Sequence, residues 1–258
     1  MNILFIGDIF GSPGRNLVKK YLPELRKEFD IDFCIANGEN AAHGKGLTEK
    51  TAIELFGSGI NCFTSGNHIW DKKDSIDYIK REKRILRPLN YSKDAIGAVY
   101  YIANVGRSKL AILNILGQVY MNPVDSPLFA LEKILPSIKE VTNNILIDFH
   151  AEATAEKRAL AFNFDGQVSA FIGTHTHVQT ADEEILPNNT AYISDVGMTG
   201  PHDSCIGIKK EIVISKMKNS LHLPFQPADG GLQINAVVIS IDEATGKALN
   251  IQRIRRKY

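Results

Sequence analysis

Short apolar runs alternating with helix-period stretches are what most constrain the fold of this chain. Residues 2–7 (NILFIG), 32–36 (DFCIA) and 60–64 (INCFT) read as buried strands. Between the first two, Leu17, Tyr21, Leu25 and Phe29 recur every four residues. That spacing predicts a helix over 13–29, with Pro23 as a potential kink. Thr48 is placed to cap a helix that reaches Phe56 and is ended by Gly57 and Gly59. Asp71 is placed to cap another over 72–81. A strand–helix–strand–helix–strand start implies a parallel sheet with right-handed crossovers.

The pattern then changes. Residues 98–104 and 109–116 read as a hairpin through Gly106-Arg107-Ser108. This hairpin covers either an interface in a homo-oligomer or the core. A helix is expected at 127–138, a strand at 144–149, a helix at 152–163 and a strand at 168–173. Strands follow at 191–194, 208–217, 232–241 and 248–254, the last two joined through Glu243-Ala-Thr-Gly246. Residues 219–231 form the expected mobile loop. No repeat or long linker divides the chain. The expectation is a single α/β domain over 1–258, a two-sheet β-sandwich flanked by helices.

Composition removes several functional classes. The net charge is +1, so no basic field argues for duplex nucleic acid. The three cysteines (Cys34, Cys62, Cys205) have no CxxC spacing, which argues against a disulfide framework or a thiolate zinc site. No apolar run approaches the roughly 20 residues of a membrane span. The start MNILFIGDIFG has no basic residue and no cleavage site, so it reads as a strand and not a leader. Cytoplasm is the expected compartment, with no membrane partner.

The polar residues at strand ends carry the chemistry. Asp8 follows ILFIG, Glu39 and Asn40 follow CIANG, Asn67 and His68 follow CFTSG, His150 follows ILIDF, and His175 and His177 follow AFIG. Ligand sites of open parallel sheets gather beyond the carboxyl ends of strands. If these strands share a sheet, all five groups converge on one rim, with Gly66 letting the backbone turn. Each residue alone has a plainer reading: Asp8 as a cap, Asn40 and Asn67 as turn residues, His150 as a hydrogen-bonded core histidine. Together, carboxylate, amide and imidazole suit borderline divalent metals. His175 and His177 point the same way if extended and reach two nearby ions, with Glu39 as the bridging candidate. Two divalent cations over two carboxylates leave a positive pocket for a phosphoryl group.

The spellings IGDIFGSPGR, IANGENAAHGKGLT, TSGNHIWD, DFHAEATAEK, GTHTHVQTAD and DVGMTGP resemble the calcineurin-like metallophosphoesterases, most closely their bacterial YmdB-like branch. The resemblance spans residues 3 to about 207. It implies two β-sheets flanked by helices and a two-metal phosphodiesterase acting on cyclic nucleotides, notably 2′,3′-cyclic ones. It also implies one metal held by Asp8, Glu39, Asn40 and His177, and another by Glu39, Asn67, His150 and His175. His68 matches the proton donor. Iron or manganese is the implied metal, with magnesium or zinc as alternatives. Two features depart from the wider superfamily: Asp8-Ile-Phe10 lacks the usual His of Asp-x-His, and Glu39 stands where the bridging Asp is usual.

On this reading a water between the ions is ionised and attacks phosphorus, and His68 protonates the leaving sugar oxygen. The substrate expected is a nucleotide phosphodiester. The alternatives are a phosphomonoesterase or protein phosphatase with the same metal centre, and a metal-stabilised regulatory protein. Weaker candidates are His43 and Lys45 as substrate contacts, Thr199 to Asp203 as cleft lining, and Trp70 as a base-stacking platform. Each also reads as ordinary loop or packing. Gly11 to Gly14 reads as a turn, and His222 is assigned no chemistry.

Overall fold

The computed structural model describes residues 1–220 and 223–258. His222 and part of the 219–231 loop therefore lie outside the described residues. The chain runs β1 (Asn2–Ile6), β2 (Asp8–Ile9), α1 (Gly11–Glu28), β3 (Phe33–Asn37), α2 (Glu49–Gly57) and β4 (Cys62–Thr64). A 3-10 turn (Lys73–Ser75) leads into α3 (Ile76–Arg81), then β5 (Tyr100–Val105), β6 (Ser108–Leu116), α4 (Pro127–Lys139), β7 (Ile145–His150) and α5 (Thr154–Asn163). The rest is β8 (Ala170–Thr174), β9 (Glu184–Ile185), β10 (Ala191–Ile193), β11 (Met198–Pro201), α6 (Lys210–Asn219), β12 (Leu232–Ile241) and β13 (Ala248–Lys257).

Two sheets result. The first has the order β2-β11-β12-β1-β3-β4, with β13 added to β12, and β1, β3 and β4 run parallel as expected. The second has the order β5-β6-β7-β8-β10-β9, with β6, β7, β8 and β10 parallel.

The strand period of two sorts the core into layers. Ile3, Phe5 and Ile35 face the second sheet and pack with Leu110, Ile112, Leu146 and Ile172. Leu4, Ile6 and Ala36 face outward, onto Leu17, Val18, Leu22 and Leu25 of α1 and Leu55 of α2. On the far side Leu131, Leu135 and Ile138 of α4 cover Leu113, Ile147 and Phe171. The order is helices, sheet, sheet, helices, which is why β1, β3, β7 and β8 read as apolar runs without alternation. The β5–β6 hairpin covers the core, since Ala103, Val105, Leu110 and Ile112 join the layer between the sheets. Cys34, on the helix side, and Cys62, between the sheets, are free and buried.

Local signals explain the helix starts. Thr48 Oγ1 accepts a hydrogen bond from Thr51 N, and Thr51 Oγ1 accepts one from Thr48 N, closing a capping box on α2. Pro127 opens α4 behind Ser126.

Three expectations are corrected, and two short strands go unforeseen. Residues 11–14 are the first turn of α1, not a free turn. Asp71 caps nothing, because its carboxylate is engaged by His68. The short strands β9 and β11 carry too few residues to leave a pattern. Residues 208–217, expected as a strand, mostly form α6, none of whose residues is buried. That segment lies outside both sheets, so helical hydrogen bonds satisfy its backbone in place of a strand partner.

Candidate metal centre

The carboxyl ends of β1, β3 and β4 from one sheet, and of β7 and β8 from the other, meet at one edge of the sandwich. The condition of one shared sheet is not met, and convergence is reached across two. Polar bridges between the sheets mark the place. Asn37 at the end of β3 donates to Asp148 of β7 at 3.1 Å, and Ser65 N donates to Asn114 of β6 at 3.1 Å.

Glu39, His150 and His175 bring one ligand atom each within 4.8 Å of one another. His150 Nε2 lies 2.9 Å from Glu39 Oε1 and 3.0 Å from His175 Nδ1. On the neighbouring side, His177 Nε2 is 3.1 Å from Asn40 Nδ2 and 4.0 Å from Asp8 Oδ1. Asn40 and Glu39 join the two halves at 3.4 Å, and His175 N lies 3.4 Å from Asp8 Oδ2. Asn67 Nδ2 is 3.3 Å from His68 Nε2, and His68 N donates to Glu39 Oε2 at 3.0 Å. All eight residues singled out from sequence thus fall in one connected cluster.

The local backbone is built for this. Gly66 is not needed for a turn, since its φ is not positive. A Cβ there would fall 2.3 Å from His150 Nε2 and 2.4 Å from Glu39 Oε2. Only glycine leaves the space these two ligand candidates occupy. His175 and His177 are not extended either: their φ values are +106° and +66°. Such angles are costly for residues other than glycine and persist only where surroundings enforce them. Here Asp195 accepts from Thr176 N at 2.9 Å and Thr176 Oγ1 at 2.8 Å, and buried Lys157 ties Asp195 to Thr174 O, each at 2.9 Å. The alternating turn sends His175 toward Glu39 and His177 toward Asp8.

Further hydrogen bonds orient the rings. Thr174 Oγ1 sits 2.9 Å from His150 Nδ1 and donates to Asp148 at 2.7 Å. Glu152 lies 3.2 Å from His175 Nε2. His177 Nδ1 faces Ile206 O at 3.0 Å. In each case one ring nitrogen is engaged and the other is left toward the cluster, the usual arrangement for metal-binding imidazoles.

Burial sets the charges. It pushes the Asp8 carboxyl well above its ordinary range, against the pull of His150. Burial would also raise Glu39, but the adjacent His150 and the His68 N–H bring it down to about 2. Burial opposes a charged His150, yet Glu39 and Asp8 raise it to about 9. Burial and the neighbouring His150 lower His175 to about 3, and burial lowers His177. His175 and His177 are therefore neutral, the form in which imidazole coordinates a cation.

Two buried oxygens test the fit to a metal. Asp8 Oδ1 and Asn67 Oδ1 have no hydrogen-bond partner. Buried acceptors left unpaired are costly, and a coordinated cation satisfies both. With two carboxylates, two amides and three imidazoles, the donor set fits borderline divalent cations.

Other candidates sort differently. Lys45 lines the pocket of about 410 Å³ over the cluster, with Phe10, Glu152, Ile206 and Ile208. His43 and the Thr199–Asp203 segment are not on its wall. Trp70 is packed, edge-on to Tyr91 and bonded to Ile96 O at 3.1 Å. Sequence reasoning missed Asp71, Glu152, Lys157 and Asp195. All four lie within motifs quoted above, but only geometry shows what each one holds.

Two sheets enclosed by helices, with a carboxylate–amide–imidazole cluster at their common edge, define a metallophosphoesterase. Within that class the chain belongs to the YmdB-like protein family, whose model matches residues 4–254. It is 47% identical over 254 residues to a 2′,3′-cyclic-nucleotide 2′-phosphodiesterase of Bacillus subtilis (strain 168), covering 98% of this chain and 96% of the relative. A crystal structure of a hypothetical protein from Thermus thermophilus superposes with a TM-score of 0.94 at 37% identity, covering 100% of this chain and 99% of that one. A crystal structure titled as a novel phosphatase from Mycoplasma pneumoniae gives 0.94 at 35% identity, covering 100% and 93%.

Proposed function

We propose that this protein hydrolyses 2′,3′-cyclic nucleotides at the 2′ ester, using divalent cations held by Asp8, Glu39, Asn40, Asn67, His150, His175 and His177. The observation that carries the reading is the grouping of Glu39, His150 and His175 within 4.8 Å, beside His68. The 47% identity to a phosphodiesterase of that name supports the substrate class. The two lobes of the cluster, Asp8–Asn40–His177 and Glu39–Asn67–His150–His175, support a pair of ions, with iron or manganese as the proposed identity.

Cations held by these residues would supply Lewis acidity toward the phosphate and make a nearby water more acidic. The chain's own residues do the rest. Water attacks phosphorus, the P–O2′ bond breaks, and O2′ takes a proton, leaving a nucleoside 3′-phosphate. His68 supplies that proton from Nε2. Asp71 holds Nδ1 at 2.9 Å, which fixes the ring and keeps Nε2 on the cluster side. His68 is 26% exposed in its side chain, open to substrate, whereas His150 is fully buried. Lys45 at the pocket mouth offers a charge to the phosphate.

The deciding experiment is a substrate panel on chelated protein reloaded with Mn²⁺, with elemental analysis alongside. A 2′,3′-cyclic nucleotide and bis-p-nitrophenyl phosphate should turn over faster than p-nitrophenyl phosphate. Preference for the monoester would make the protein a phosphomonoesterase instead.

A further inference from the structure

A second groove of about 630 Å³ is not used by the reading above, and its size lies within the range of small-ligand sites. Arg87, Tyr91 and Lys93, from the segment between α3 and β5, form one wall; Phe129 and Lys133 of α4 form the other. Asp125 is the one carboxylate on its lining. Lys93 and Lys133 are exposed and have no ion-pair partner among the described residues. On the groove lining itself three cations stand against one carboxylate, with Asp94 and Glu132 flanking the two lysines in sequence. Phe129 is 68% exposed above it. Unpaired cations beside an exposed aromatic ring are the combination that binds single-stranded nucleic acid.

The groove and the catalytic pocket share no lining residue, but a packed aromatic pair links the His68 segment to the groove wall. Trp70, two residues after His68, meets Tyr91 with ring centroids 4.9 Å apart. The walls are fixed in advance. Asn90 donates to Leu116 O and Asp125 O, each at 2.8 Å, and accepts from Leu116 N at 2.9 Å. Such preorganisation lowers the ordering cost of binding.

Chemistry gives the direction. The 2′ oxygen protonated by His68 belongs to the ribose, so any chain attached to that ribose through its 5′ oxygen leaves on the His68 side. Trp70 and Tyr91 lead from there into the cationic groove. We propose that the substrate is the 3′ end of a single-stranded RNA carrying a 2′,3′-cyclic phosphate, and that the groove holds the nucleotides preceding the reacting one. This rests on the cyclic-phosphodiesterase reading, with the same bonds made and broken; the RNA is left with a 3′-phosphate.

The test joins binding to kinetics. A 5′-labelled tetraribonucleotide ending in an inert 3′-phosphate is titrated by fluorescence anisotropy into the metal-loaded protein and its Lys93→Glu/Lys133→Glu variant. In parallel, kcat/KM is measured for a 2′,3′-cyclic mononucleotide and for the same tetranucleotide ending in a cyclic phosphate. The wild type should prefer the tetranucleotide. Its affinity should fall about sevenfold between 50 and 200 mM salt, the slope for two phosphate contacts on a single strand. The variant should bind more weakly, lose most of that salt dependence and lose the preference. Equal binding by both proteins, or binding indifferent to salt, overturns the groove and leaves it to a protein segment. Mononucleotide turnover without tetranucleotide binding overturns the groove alone. Binding without turnover of either substrate overturns the cyclic-phosphodiesterase reading and the substrate assignment with it.

Discussion

Single side chains divide here into those that hold a cation and those that move a proton, and substitution separates the two. His68→Ala should keep the metal content of the wild type and lose about 10²–10⁴ in kcat, checked by elemental analysis beside steady-state rates. Equal rates at equal metal content would remove His68 from the reaction. Glu152 acts one step away, through His175 Nε2. Glu152→Gln should weaken metal binding about 10–100-fold, read from metal titration of the chelated protein. Gly66 gives the sharpest steric case. Gly66→Ala puts a methyl carbon where His150 and Glu39 already lie, so overpacking should cost about 1–3 kcal/mol of stability and lower the bound metal. Denaturant unfolding and elemental analysis check both.

At the scale of elements, the turn after β8 is the demanding piece. Two left-handed histidines flank Thr176, and the buried Lys157–Asp195 pair holds them. Removing one partner of a buried pair leaves an uncompensated charge, at about 3–5 kcal/mol. Lys157→Met should therefore lower Tm by roughly 6–20 °C for a chain of this size. A melting curve superposable on the wild type would show that Asp195 holds the turn unaided.

The elements were legible to different degrees. Buried strands and the helices of the first half could be read because apolar runs, Thr48 and the four-residue period are local signals. So were the strand-end ligand candidates. The partners of those ligands were not: Asp148 acquires its role from cross-strand register, and Lys157 and Asp195 from the packing of α5 against the loop after β10, which no local pattern encodes. The miss at α6 has the opposite cause. Ile212-Val213-Ile214 carries strand propensity, but propensity yields where no neighbouring strand is at hand.

For the molecule as a whole, the centre joins two sheets that otherwise meet only through apolar packing and a few polar bridges. A cation held by Asp8 and Glu39 from one sheet and by His150, His175 and His177 from the other should therefore stabilise the fold. Chelation should abolish turnover and lower Tm; Mn²⁺ at about 100 times its Kd should restore about 2.7 kcal/mol, followed by thermal melts across a metal titration. An unchanged Tm would mean the ligands are preorganised without the ion's help. No helix among the described residues is long and apolar enough to cross a membrane.

β1, the strand that leads into Asp8, is made long before one of its two neighbours, β12. A growing chain that has already emerged as far as His177 carries every proposed ligand but leaves β1 with a bare edge. Catalytic competence thus arrives late in translation, and a ribosome that halts early releases a sticky, incomplete sheet.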